Sequence, residues 1–172
     1  MIQPAAFGFL TGLHLAALQF GCFFLLLLNV TSTYVTYAAV VMSWMAGTVL
    51  GLAWARLGAA ATLALGVVGY YAIYALVVTD PLAPYTLPIA VAGVAVAGLW
   101  AGRFFVVMLP VVGRADRLFF HENNGFLVGV VGVFVGFTTL GLDFLRWTPL
   151  LTGTLLLAQV AWIAPGRAEA RS

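Results

Sequence analysis

His14 is the residue whose type and place most invite chemistry. It stands inside a long apolar stretch, Ala5 to Leu28, about two helical turns in, and an ionisable group held in a bilayer is a candidate functional residue. Three roles fit an imidazole there. It can be a neutral hydrogen-bonded packing element between helices. It can be a haem ligand, with His121 as the only histidine to pair with. It can also make a polar contact to a quinone, a lipid head group or a neighbouring subunit.

The second concentration of chemistry is Arg114-Ala115-Asp116-Arg117-Leu118-Phe119-Phe120-His121-Glu122-Asn123-Asn124. In a chain that is 7% charged, this one stretch holds Arg114, Arg117, Asp116, Glu122 and His121. Read as a loop between two spans, it offers Arg114, Arg117, Phe119, Phe120, His121 and Glu122 as a docking surface, because Arg and aromatic side chains are enriched in interface cores. The same residues also suit a segment that dips Leu118-Phe119-Phe120 into the head-group region.

Other chemistries are excluded by residue type. Every basic residue is Arg, and without lysine there is no Schiff base for retinal or pyridoxal chemistry. The single cysteine, Cys22, forms no internal disulfide, and Cys and His spacing gives no zinc pattern, so no metal site is expected. No Ser, His and Asp are placed for nucleophilic catalysis. An ion-coupled transporter needs a carboxylate inside a span, and Asp80, Asp116, Glu122, Asp143 and Glu169 all fall in expected loops, span ends or the tail. A basic patch for nucleic acid is likewise missing.

These residues must be positioned by membrane helices. The 172 residues are 64% hydrophobic with a mean hydropathy of +1.12, well above soluble proteins at about 45 to 50% apolar. Apolar runs of about 20 residues, enough to cross a hydrocarbon core of about 30 Å, recur along the chain. They place spans at Ala5 to Leu28, Tyr34 to Trp54, Ala59 to Val78, Leu87 to Leu109, Gly125 to Leu142 and Pro149 to Ala164. Pro110 with Gly113 is expected to end the fourth span, and Pro165-Gly166 the last. The start, Met1-Ile2-Gln3-Pro4, has no basic region before its apolar run, so the first span is expected to be retained rather than cleaved as a signal.

With six spans, Arg56, Arg114, Arg117, Arg167 and Arg171 share the side of the two termini, and Arg146 lies opposite. The excess of positive charge marks that shared side as cytoplasmic. Arg103 is expected to snorkel from the cytoplasmic end of span four. The tryptophans Trp44, Trp54, Trp100, Trp147 and Trp162 are expected mostly at interfaces. Asp143 and Arg146, three apart, can pair. Glycines four apart, at Gly8 and Gly12, Gly47 and Gly51, Gly98 and Gly102, and along Gly125, Gly129, Gly132 and Gly136, let helix backbones approach closely in lipid. They serve either packing within the bundle or, on span five, docking against another membrane subunit.

Two stretches carry a resemblance. Thr31-Ser32-Thr33-Tyr34 leading into Val40-Val41-Met42-Ser43-Trp44-Met45-Ala46-Gly47-Thr48-Val49-Leu50-Gly51, and Asn123-Asn124-Gly125 followed by Gly129, Gly132, Gly136 and Leu140-Gly141-Leu142, resemble helices of the membrane domain of membrane-anchored spermidine synthase-like proteins. In that family, aminopropyl transfer belongs to a soluble Rossmann-like domain that follows the helices. The residues up to Ser172 hold no glycine-rich nucleotide loop on a strand, so no catalytic residue carries over. Gln19 stands where the family's first helix has an acidic or amide residue, but the Arg that follows in the family is missing here.

The expectation is a single all-α domain: an integral membrane bundle of about six transmembrane helices with both termini cytoplasmic, in a bacterial inner membrane. Its expected role is a non-catalytic accessory subunit of a larger membrane complex, respiratory or energy-transducing in kind. Its partners would be other membrane subunits and the lipid bilayer. A small-solute transporter or channel and a haem- or quinone-binding redox subunit are the alternatives.

Overall fold

The computed structural model describes residues 3–169 apart from Ser32 and Ala55, with side chains described as far as residue 161. Among the described residues the chain is all-helical: α1 (Pro4–Asn29), α2 (Tyr34–Ala53), α3 (Ala59–Thr79), α4 (Thr86–Val112), α5 (Ala115–Leu140) and α6 (Leu142–Glu169). The first five are each long and apolar enough to cross a membrane. Pro4 opens α1 where its missing N–H costs no intrahelical bond and its fixed φ suits the first turn. At the far end the Asn29 side-chain amide folds back and donates to the Leu25 carbonyl at 2.8 Å.

Four boundaries differ from the sequence-based expectation. Arg114 to Asn124 is not a loop: Arg114 caps α5, which starts at Ala115, so Ala115 to Asn124 form about the first three turns of the fifth helix. Pro110 does not end α4, which runs on to Val112 and stops where Gly113 takes a φ of 70°. The link from α5 to α6 is Gly141 alone, at φ 63°, so Pro149 lies in the second turn of α6 rather than at its start. Pro165-Gly166 does not stop the last helix, which continues to Glu169. The side chains of Trp162, Arg167 and Glu169, and Arg171 entirely, lie outside what is described.

α1 is the central helix and packs against each of the other five. Its neighbours confirm that successive helices alternate in direction. Phe9 sits over Gly125 and Leu13 over Gly129, so α1 and α5 run parallel. Ala95 sits over Gly47 and Leu99 over Gly51, so α2 and α4 also run parallel, whereas Gly66 meets Ala97 and Gly69 meets Gly93, so α3 and α4 are antiparallel. The ends of α2 and α4 and the starts of α1, α3 and α5 therefore share one side of the bundle, and Arg56, Arg114 and Arg117 lie there.

The glycine rows are used inside the chain. A Cβ at Gly47 would stand 1.9 Å from the Ala95 carbonyl oxygen, and one at Gly102 would stand 2.0 Å from that of Thr48. Gly12 and Gly125 are as tight, at 1.9 Å from the carbonyl oxygens of Glu122 and Phe9. Such backbone approach is what small residues permit between helices in lipid. Gly136 is closed by the Phe144 ring, and only Gly132 of the span-five row faces open space. Of the two roles expected for the row Gly125, Gly129, Gly132 and Gly136, packing within the bundle is the one that three of the four serve, against α1 and α6.

Other assignments change with the packing. Trp100 lies in the middle of α4 and is fully buried, and Trp44 is buried mid-way along α2, so neither marks an interface; Trp54 and Trp147 are exposed near helix ends, as expected. Arg146 leans over the Trp147 ring at 5.2 Å rather than onto Asp143. Cys22 is buried in the core as small apolar filler.

On the other side of the bundle, the turn before α4 is tied by Tyr85, whose hydroxyl donates to Asp80 Oδ2 at 2.6 Å, while Thr86 donates to the Asp80 carbonyl at 2.6 Å. The hydrogen bond to the Asp80 carboxylate raises the Tyr85 pKa above its ordinary value of about 10. A raised folded-state pKa means the contact is intact below about pH 10 and is lost as pH climbs through the raised value. The late part of an alkaline titration at 295 nm should therefore shrink by one tyrosine in Tyr85→Phe; a titration curve unchanged in its late part by the substitution would refute the assignment.

Candidate functional site

His14 lies on α1 ten residues from Pro4, and Thr152 lies on α6 ten residues from Leu142, at the other side of the bundle. At a rise of about 1.5 Å per residue each is about 15 Å from its helix start, so the pair meets deep in the bundle, near the middle of a bilayer. His14 Nδ1 is 2.8 Å from Thr152 Oγ1, and both side chains are buried. Gly153 makes the approach possible: a Cβ there would stand 3.2 Å from His14 Cε1 and 2.7 Å from Val67 Cγ2 on α3.

The hydrogen bonds fix the imidazole's chemistry. Thr152 Oγ1 is also 2.9 Å from the Thr148 carbonyl, the back-bond a helical Thr commonly makes with its one hydrogen. With that hydrogen committed, Oγ1 accepts from His14, so Nδ1 carries the ring proton and Nε2 presents a lone pair; the tautomer is assigned from this network. Nε2 is buried and has no partner. The Thr11 hydroxyl, one turn earlier on the same face of α1, is buried and unpartnered as well, and so is the Trp100 indole N–H on α4. Each such atom carries a desolvation cost of about 1 to 3 kcal/mol.

His121 is not brought to His14. It packs over Gly8, where its Cβ would be 3.2 Å from an added methyl, six residues back along α1 and on the face turned to α5. Among the described residues no three His, Cys, Asp or Glu side chains converge to hold a metal ion. Gln19 lines a separate cleft of about 100 Å³ between α1 and α2, with Phe20, Phe23, Tyr37, Val40 and Val41.

The six residues read as a docking surface divide. Glu122 is 7% exposed, turned inward against α1, and His121 is half-buried, so neither is offered to a partner. Their burial follows from the helix: with Leu118, Glu122 and Gly125 at spacings of four and three, one face of the start of α5 must meet α1. Arg114, Arg117, Phe119 and Phe120 are exposed. Arg114 pairs with Asp116 on the surface, and that carboxylate raises the guanidinium's pKa, holding its charge firmly. Phe119 leans on Phe105 of α4 with ring centroids 5.0 Å apart, which leaves Phe120, 65% exposed, as the most projecting ring.

The Thr11, Trp100 and Thr152 contributions were missed by sequence reading. Thr and Trp are common in spans, and only the contact between helices far apart in sequence distinguishes these. No protein-family model, curated protein or solved structure matches this chain.

Proposed function

We propose that this chain is a non-catalytic subunit of a larger membrane assembly, docked through the exposed start of α5. The observation that carries the reading is that α5 begins ten residues before Gly125, so that Arg117, Phe119 and Phe120 stand on a rigid helical ridge rather than on a loop, with Arg114 at its cap. A pre-formed ridge loses little conformational entropy on binding, and Arg with aromatic rings is the composition of interface hot spots. The resemblance to the membrane domain of spermidine synthase-like proteins is compatible with this, since there too the helices accompany a separate catalytic unit.

Gentle purification of the tagged protein from its native membrane tests the proposal. The expected result is a particle heavier than the chain with a stoichiometric partner, and its loss in Arg117→Glu/Phe120→Ser while the helical circular dichroism is retained. A monodisperse particle of the chain's own mass would sink it, and so would a partner retained by the double variant.

A further inference from the structure

Gln19 brings a carboxamide to the lipid-facing side of the bundle. It stands fifteen residues past Pro4 and ten before Asn29 on α1, about 22 Å from one end of that helix and about 15 Å from the other. A hydrocarbon core is about 30 Å thick, so the side chain is near the middle of the bilayer. Among the described residues it makes no hydrogen bond. A carboxamide offers two N–H donors and a carbonyl acceptor, and lipid chains answer none of them.

The space beside it is a cleft. Gln19, Phe20 and Phe23 of α1 and Tyr37, Val40 and Val41 of α2 surround about 100 Å³. Val40 is buried, whereas Tyr37 is 59% exposed and puts the mouth of the cleft on the lipid-facing surface. The rings are held by their own neighbours. Phe20 packs on Phe126 and Phe134 of α5, with centroids 6.1 and 5.8 Å away, and Phe23 meets Tyr37 edge-on at 5.9 Å. The cleft is therefore pre-formed, with apolar aromatic walls and one amide.

Depth, size and chemistry select the occupant. The ester carbonyls of phospholipids lie at the edge of the hydrocarbon core, about 15 Å from its middle, and do not reach this level. An α-helix with its side chains is about 10 to 12 Å across, too broad to enter the cleft. A single ring is not too broad. A cavity of about 150 Å³ takes up benzene, so a cleft of about 100 Å³ that is open to lipid admits a six-membered ring with one edge left outside. An acceptor on that ring answers an amide N–H, and the molecule must be neutral, because an ion at this depth costs far more than a carbonyl.

We propose that the cleft between α1 and α2 binds the head of a membrane-soluble quinone, whose ring carbonyl accepts from the Gln19 amide while Phe20, Phe23 and Tyr37 pack on the ring. The assignment does not depend on docking at α5.

Titration of the full chain in lipid nanodiscs with a decyl-substituted benzoquinone tests this, read by NMR of the side-chain amides of isotope-labelled glutamine. The glutamines are Gln3, Gln19 and Gln159, and the spectrum of Gln19→Leu identifies the signal concerned. The expected result is saturable binding that moves the Gln19 amide proton downfield as it bonds to the carbonyl. Gln19→Leu keeps the bulk of the side chain, suits lipid, and should weaken binding about tenfold. Val41→Trp fills the mouth yet leaves the amide in place, and should abolish binding in a bundle whose helical circular dichroism is unchanged. Decylbenzene, which lacks the carbonyl, should leave the Gln19 signal where it is. Absence of saturable binding to the wild-type chain overturns the proposal. So does a quinone that binds without moving the Gln19 signal, or one that binds Gln19→Leu equally well. A Gln19 amide already bonded to the polar side chain of a co-purifying helix, and unmoved by quinone, overturns it too. Should Gln19→Leu not fold, Val41→Trp and the wild-type titration decide the matter.

Discussion

Alanine in place of Gly47 or Gly125 is expected to destabilise the bundle by at least about 3 kcal/mol, beyond the usual range for overpacking. The added methyl would stand 1.9 Å from a backbone oxygen of the facing helix, and real contacts lie beyond 3.0 Å, so the two helices must part by more than an ångström along their length. No rotamer change relieves this, because the opposing atom is main chain. Helix propensity pulls the other way by about 1 kcal/mol in favour of alanine, which the clash exceeds. Gly132 supplies the control: nothing lies within 4 Å of a Cβ there, so Gly132→Ala should be neutral or stabilising by up to about 1 kcal/mol. Reversible unfolding in mixed micelles reads all three variants. Equal midpoints for Gly47→Ala and Gly132→Ala would show that α2 and α4 are not in backbone contact.

The second large effect sits where α3 meets α6. Leu145 would ordinarily give its carbonyl to the N–H four residues on, but that residue is Pro149, which has none. The Tyr70 hydroxyl supplies the missing donor at 2.8 Å, and Tyr71 donates to the next carbonyl, that of Arg146. Tyr70 is fully buried, so Tyr70→Phe strands a carbonyl where water cannot reach it, at an expected cost of about 1 to 3 kcal/mol. Pro149→Ala restores an intrahelical donor, and in that background Tyr70→Phe should cost much less. The coupling in this double-mutant cycle is the measurement. Additive effects would mean that the tyrosine does not stand in for the missing N–H.

Sequence periodicity located all six helices because lipid imposes one requirement, about 20 apolar residues, that leaves a plain mark on composition. It misplaced the start of α5 because hydropathy registers the part of a helix in contact with lipid, not the part that projects beyond it. Arg114 to Asn124 is polar and helical at once. Pro149 reads as a helix boundary for a different reason: the tyrosine donors from α3 that carry α6 through it leave no mark in the local sequence. His14 was legible as the residue to watch. Its partner Thr152 was not, since a hydrogen bond spanning most of the chain has no local signature. The glycine rows were legible as packing faces, but which helix each one meets depends on the order of helices around α1.

The central position of α1 has a consequence for assembly. It leaves the ribosome well before the helices that cover its glycine face and meet His14, α5 and α6. At synthesis rates of about 5 to 20 residues per second, α1 waits on the order of ten seconds for them. During that interval Gly8, Gly12, Thr11 and His14 lack their native neighbours, and the nascent bundle exposes a groove suited to any other helix with small residues. The late closure of this groove makes truncation before α5 a route to mispairing rather than to a smaller stable bundle.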